Sequence, residues 1–127
     1  MEKLLIIGVG GGIGSIVRFL LSTSVQEKLN NATFPFGTLV VNITGCLVIG
    51  MLSHLSDAKG IISSDLRAFL FIGLLGGFTT FSTFSNETVN LIRGGEYIQG
   101  TINIACQLFI GIGAVIAGRL LAQVIWR

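Results

Sequence analysis

Apolar residues fill four long blocks of this chain, roughly Leu4–Ser22, Phe36–Leu55, Leu66–Ile92 and Ile98–Ile125. Each is close to or above the 20 or so residues that a helix needs to cross a bilayer, so the pattern predicts four spanning helices. The links between them are short and polar. Asn30-Asn31-Ala32-Thr33-Phe34-Pro35 holds the one proline, Ser56-Asp57-Ala58-Lys59-Gly60 follows the second block, and Arg93-Gly94-Gly95-Glu96 reads as a tight turn. The predicted fold is therefore an all-α membrane protein, a single four-helix transmembrane domain over residues 1–127. The first block is glycine-rich, holds Arg18 and has no clear small-residue cleavage site, so it reads as a span rather than a signal peptide.

The third block is not uniform. Gly76-Gly77-Phe78-Thr79-Thr80-Phe81-Ser82-Thr83-Phe84-Ser85 places two glycines and two β-branched threonines where helix continuity matters most, which predicts a break in mid-membrane. Phe78, Phe81 and Phe84 recur every third residue, so they are expected to share roughly one face of the restarted helix, with five hydroxyl side chains among them.

Composition supports the membrane reading: 51% of residues are hydrophobic and only 11% charged, a balance that a soluble domain of this size does not keep off its surface. The net charge of +2 gives no footprint for nucleic acid. Cys46 and Cys106 sit alone in apolar blocks, His54 ends the second, and nothing has metal-ligand or nucleophile spacing, so no enzyme is expected. With both termini on one side, Lys3, Lys59, Arg67, Arg119 and Arg127 share that side against Arg18, Lys28 and Arg93 on the other. So weak a bias suits insertion in either orientation and an antiparallel homodimer. Glycines spaced four apart at Gly8/Gly12, Gly10/Gly14 and Gly73/Gly77 are expected to pack closely on other helices. A nucleotide-binding GxGxxG is excluded, because the sixth position falls on Ile13 or Ser15.

Polar residues inside the blocks carry the candidate chemistry. Thr38 lies one turn before Asn42, Asn103 lies four before Gln107, and Ser82, Thr83, Ser85, Asn86, Glu87 and Asn90 crowd the third block after the break. Amides and hydroxyls are hydrogen-bond donors and ring edges are positive, a set that suits a small anion without a tight ion pair. Carbonyls freed around Gly76 to Thr79 are hard ligands for a small cation, and two breaks meeting on a two-fold axis would share one.

With these motifs, the chain resembles the Fluc/CrcB family of small bacterial fluoride channels over essentially its whole length. The matching patterns are Gly10 to Gly14 with Arg18, then Gly37-Thr38-Leu39 with Asn42 and Gly45, then Gly76 to Ser85 with Glu87. The resemblance implies an antiparallel, dual-topology homodimer in the bacterial cytoplasmic membrane, with two fluoride pathways, passive fluoride export and fluoride resistance. It implies Phe81 and Phe84 as pore phenylalanines, Asn42 as the pore amide, and Ser82, Thr83 and Glu87 as a polar track. It also implies a central structural Na⁺ held by the carbonyls of Gly76 and Thr79. The fourth block departs from the pattern: where a Tyr is followed one turn later by Ser, this chain has Asn103 and Gln107. The competing class is a dual-topology, proton-coupled small multidrug exporter. Proteins of that class carry a membrane-embedded Glu on the first helix, and this one has no Glu between Glu2 and Arg18.

Overall fold

The computed structural model describes residues 1–30, 33–59 and 62–126. Asn31, Ala32, Gly60 and Arg127, and the side chains of Ala58 and Lys59, enter the loop and charge readings above but lie outside what is described. Helix α1 runs Glu2–Lys28 and α2 runs Phe36–Lys59. The third block is α3 (Ser64–Arg67), a π-helical stretch Ala68–Leu74, α4 (Leu75–Phe78) and α5 (Phe81–Arg93). The fourth is α6 (Tyr97–Ala105), a second π-helical stretch Cys106–Ile110, and α7 (Gly111–Ile125). The described residues contain no strand. Four segments, Glu2–Lys28, Phe36–Asp57, Ser64–Arg93 and Tyr97–Ile125, are long and apolar enough to cross a membrane.

Local chemistry sets the ends of these rods. The Ser63 hydroxyl accepts the Leu66 N–H at 3.3 Å and so caps α3. The tight link after α5 turns at Gly95, whose φ of +84° costs glycine little and a residue with a Cβ much more. At one end of the bundle Lys3 donates to the Ser64 hydroxyl at 2.8 Å and Arg67 to the Ser56 hydroxyl at 2.7 Å, while Arg119 pairs with Asp57 at 3.3 Å. These three cations share one end, as the two-sided reading of charge expects. The ion pair is solvent-exposed and contributes at most about 1 kcal/mol.

Close backbone approach holds the rods together. Helix α1 lies along the first π stretch and α4, and α2 lies along α7. A Cβ on Gly10 would stand 2.8 Å from the Phe69 carbonyl oxygen, one on Gly14 would strike the Leu74 carbonyl, and one on Gly77 the backbone of Gly11. The second pair docks in the same way, with Gly50 against the Val115 carbonyl and Gly118 against that of Leu47. Dispersion and close fit, not aversion to water, supply the energy between helices in lipid, and small residues give access to it.

Two expectations need correction. Gly8 and Gly12 have nothing within 4 Å of a Cβ built on them, so their GxxxG pair takes no part in packing within the chain. The Gly76-Gly77 step stays helical within α4, because Gly77 is used for its missing side chain against Gly11 rather than for backbone freedom.

Candidate functional site

Thr79 (φ −86°, ψ 155°) and Thr80 (φ −150°, ψ 114°) adopt extended backbone between α4 and α5. The Thr79 N–H still reaches the Leu75 carbonyl at 2.9 Å, and its hydroxyl donates to the same oxygen at 2.9 Å. There the helical ladder changes partners. In a continuous helix the Thr80 N–H would serve the Gly76 carbonyl and the Thr83 N–H that of Thr79. Here the Thr80 N–H donates to Asn42 Oδ1 at 2.9 Å, and the Thr83 N–H donates to Thr80 Oγ1 at 3.2 Å. The carbonyls of Gly76 and Thr79 thus lose their regular donors.

Asn42 of α2 acts as a surrogate peptide for this step. Its Oδ1 takes the Thr80 N–H, and its Nδ2 donates both to the Thr80 carbonyl and to Gln107 Oε1, each at 3.1 Å. The deep amide that the resemblance implies as the pore amide is therefore engaged at both ends of the group. The Thr80 hydroxyl caps α5, donates to Thr83 Oγ1 at 3.0 Å and lies 3.4 Å from the Ser82 hydroxyl. Ser82 itself is exposed at the start of α5.

The remaining candidates fall into two hollows. An open cavity of about 520 Å³ is lined by Thr38, Thr83 and Glu87 together with Ser22, Gln26 and Asn90. There the Thr38 hydroxyl donates to Glu87 Oε1 at 2.7 Å, while Glu87 Oε2 is buried without a partner. A larger groove of about 930 Å³ is lined by Asn42, Gly76, Thr79, Phe81, Phe84 and Gln107 among mostly apolar neighbours. The rings of Phe81 and Phe84 meet edge to face, with centroids 5.4 Å apart at 67°, and Phe81 is 79% exposed. Phe78 does not join them. It precedes the break, is buried, and packs at the position of Gly45, since the extended Thr79 and Thr80 interrupt the three-residue spacing.

Asn103 is fully buried, and its Nδ2 donates to Thr88 Oγ1 at 2.9 Å. Thr88 in turn donates to the Phe84 carbonyl at 2.8 Å. Asn103 Oδ1 and Gln107 Nε2 are left buried and unpartnered. Sequence reasoning missed Thr88 as a link, and no spacing rule marks it, because its partner Asn103 comes from another helix. It also missed Thr80 as a cap, although Thr80-Phe81-Ser82-Thr83 has the spacing of an N-cap hydroxyl and its N3 amide. Among the described residues no cluster of three His, Cys, Asp or Glu is placed to hold a metal.

Four apolar spans and close glycine-mediated docking define a small multi-pass membrane protein. The chain belongs to the CrcB-like family: the model described as "CrcB-like protein, Camphor Resistance (CrcB)" matches residues 5–119. It is 42% identical over 129 residues to a Clostridium novyi (strain NT) protein named "Fluoride-specific ion channel FluC", covering 99% of this chain and 100% of that one. It is 44% identical over 122 residues to the Methanosarcina acetivorans "Fluoride-specific ion channel FluC 1", covering 96% and 92% respectively. A relative of the same name from Bacteroides fragilis (strain YCH46) is 42% identical over 125 residues, covering 97% and 98%.

Proposed function

We propose that this protein is a fluoride channel that lets F⁻ leave the cell passively and so confers fluoride resistance. The observation that carries the reading is full-length similarity to proteins named as fluoride-specific ion channels, on a chain whose apolar spans carry amides, hydroxyls and the carboxylate of Glu87. Fluoride is compact and strongly hydrated, and must exchange its water for close donors. The hydroxyls of Thr38, Ser82 and Thr83 mark the polar approach, with Glu87 beside them; the edges of Phe81 and Phe84, with the amides near Asn42, form the narrow part.

The functional unit is an antiparallel, dual-topology homodimer with two pathways, in which the third span is broken at mid-membrane. The weak charge bias favours such a pair, and so does the wide groove with its 79% exposed Phe81, which a second copy would cover. A structural Na⁺ at the two-fold axis fits the donor set, since Gly76 and Thr79 offer carbonyl oxygens whose N–H partners are diverted elsewhere. When bound, such an ion would give these carbonyl oxygens the partner that the diverted N–H groups no longer supply.

The decisive measurement is efflux from liposomes holding the purified protein. Rapid F⁻ release with little Cl⁻ release, needing no proton gradient and weakened when K⁺ replaces Na⁺, is the expected result. Release that demands a proton gradient would transfer the protein to the exporter class, and indifference to the cation would remove the sodium.

A further inference from the structure

Two hydrogen-bond relays leave the interrupted helix and end on the fourth block, and their polarity is set by backbone groups that have no choice of role. The first starts at the Thr80 N–H. Because a peptide N–H only donates, the atom of Asn42 that meets it must be Oδ1, so Nδ2 faces the other way. Asn42 Nδ2 then spends both of its hydrogens on the Thr80 carbonyl and Gln107 Oε1. Gln107 must present its oxygen to Asn42, which leaves its Nε2, with two N–H groups, as the free end of the relay. The second relay starts at the Phe84 carbonyl, which only accepts. Thr88 donates to it, Asn103 Nδ2 donates to Thr88, and the free end is the oxygen Oδ1.

The two free ends are opposite in kind. A buried donor without a partner costs about 1–3 kcal/mol, so Gln107 Nε2 is a place where an acceptor gains more than it would in water. Asn103 Oδ1 repels an anion and suits a water. Gln107 also lies in the π-helical stretch Cys106–Ile110, a wide turn of the kind found often at functional sites, and it lines the groove that holds Phe81 and Phe84.

We propose that the amide which meets the anion in this chain is that of Gln107, and that Asn42 is a positioning residue, committed to the Thr80 peptide, that fixes which end of Gln107 is offered. The inference rests on the fluoride-channel reading and assigns the donor within it. An amide that receives a hydrogen bond at one end still presents two donors at the other.

Liposome efflux with three proteins tests it. Wild type should release F⁻ quickly; if it does not, the channel reading itself fails and this inference falls with it. Gln107→Met, which keeps the length but loses both ends of the amide, should lower F⁻ release about tenfold or more, the effect of a lost charge-assisted bond. Gln107→Glu keeps an oxygen for Asn42 but, as a carboxylate, has no proton to give. At alkaline pH it should run as a dimer of wild-type elution volume and melting temperature, conduct at least tenfold more slowly, and regain flux as falling pH returns a proton to the carboxyl. Gln107→Glu with wild-type flux at alkaline pH would show that only the contact to Asn42 matters and overturn the proposal. So would Gln107→Met with wild-type flux.

Discussion

The two halves of the third span solve opposite problems. Its first half, through Phe78, is docked on α1 by glycine: Gly10, Gly14, Gly73 and Gly77 let the backbones touch, and the chain stays helical. Its second half, from Thr79, gives up the ladder for two residues and is repaired by side chains, with Asn42 on one strand of the step and Thr80 itself on the next turn. Phe78 before the step is buried, whereas Phe81 after it is largely exposed. Stability and chemistry are thus segregated along one segment. Where small residues make the contact the backbones themselves meet, and where polar residues make it side chains take over backbone hydrogen bonds.

Substitutions should separate the halves. The largest effect is expected at Gly14, where a side chain meets the Leu74 carbonyl and stands 2.9 Å from the Phe78 nitrogen. Gly14→Leu should cost about 3 kcal/mol or more and abolish the well-folded protein in thermal unfolding or size-exclusion analysis. A stable Gly14→Leu protein would mean that the docked half is not docked by glycine. Phe81→Ile and Phe84→Ile should instead leave the melting temperature nearly unchanged and cut F⁻ flux about tenfold, the kinetic equivalent of roughly 1.4 kcal/mol of lost ring-edge attraction. Normal flux in both would reduce those rings to packing. The smallest effect is expected at Gly8, which is exposed with open space around it. Gly8→Ala should shift stability by less than about 1 kcal/mol, in the favourable direction, because alanine is the better helix former. A marked loss there would place a second copy of the chain against that face.

Much of the architecture is legible in the residue pattern. The four blocks coincide with the four apolar helical segments, since length and hydropathy alone decide what crosses a bilayer. The helix-ending turn at Gly94-Gly95 and the packing of Gly10 and Gly14 follow from residue type. Other features are not local. The π-helical stretches Ala68–Leu74 and Cys106–Ile110 add residues to a turn without any signal in composition, so faces extrapolated through them drift. The step out of the helix falls at Thr79-Thr80 and not at the glycine pair, because Gly77 is held against Gly11 and the β-branched threonines accept extended angles readily. Asn42 stands out as a deep amide, yet its partners are 38 and 65 positions away, and one of them is a peptide group that no residue type encodes.

The engagement of Asn42 with Thr80 also bears on how the protein is made. A segment entering lipid alone must satisfy its own backbone, and a straight third span would do so by returning the Thr80 N–H to the Gly76 carbonyl; the extended step instead hands that N–H to Asn42. The interruption is therefore completed by another helix, and it becomes fully satisfied only once α2 lies alongside. The extended step at Thr79-Thr80 is in this sense written into the third span by the second. A chain lacking the amide at position 42 would enter the membrane normally and fail at a later, quieter stage, as a bundle of correct topology whose third rod stays straight.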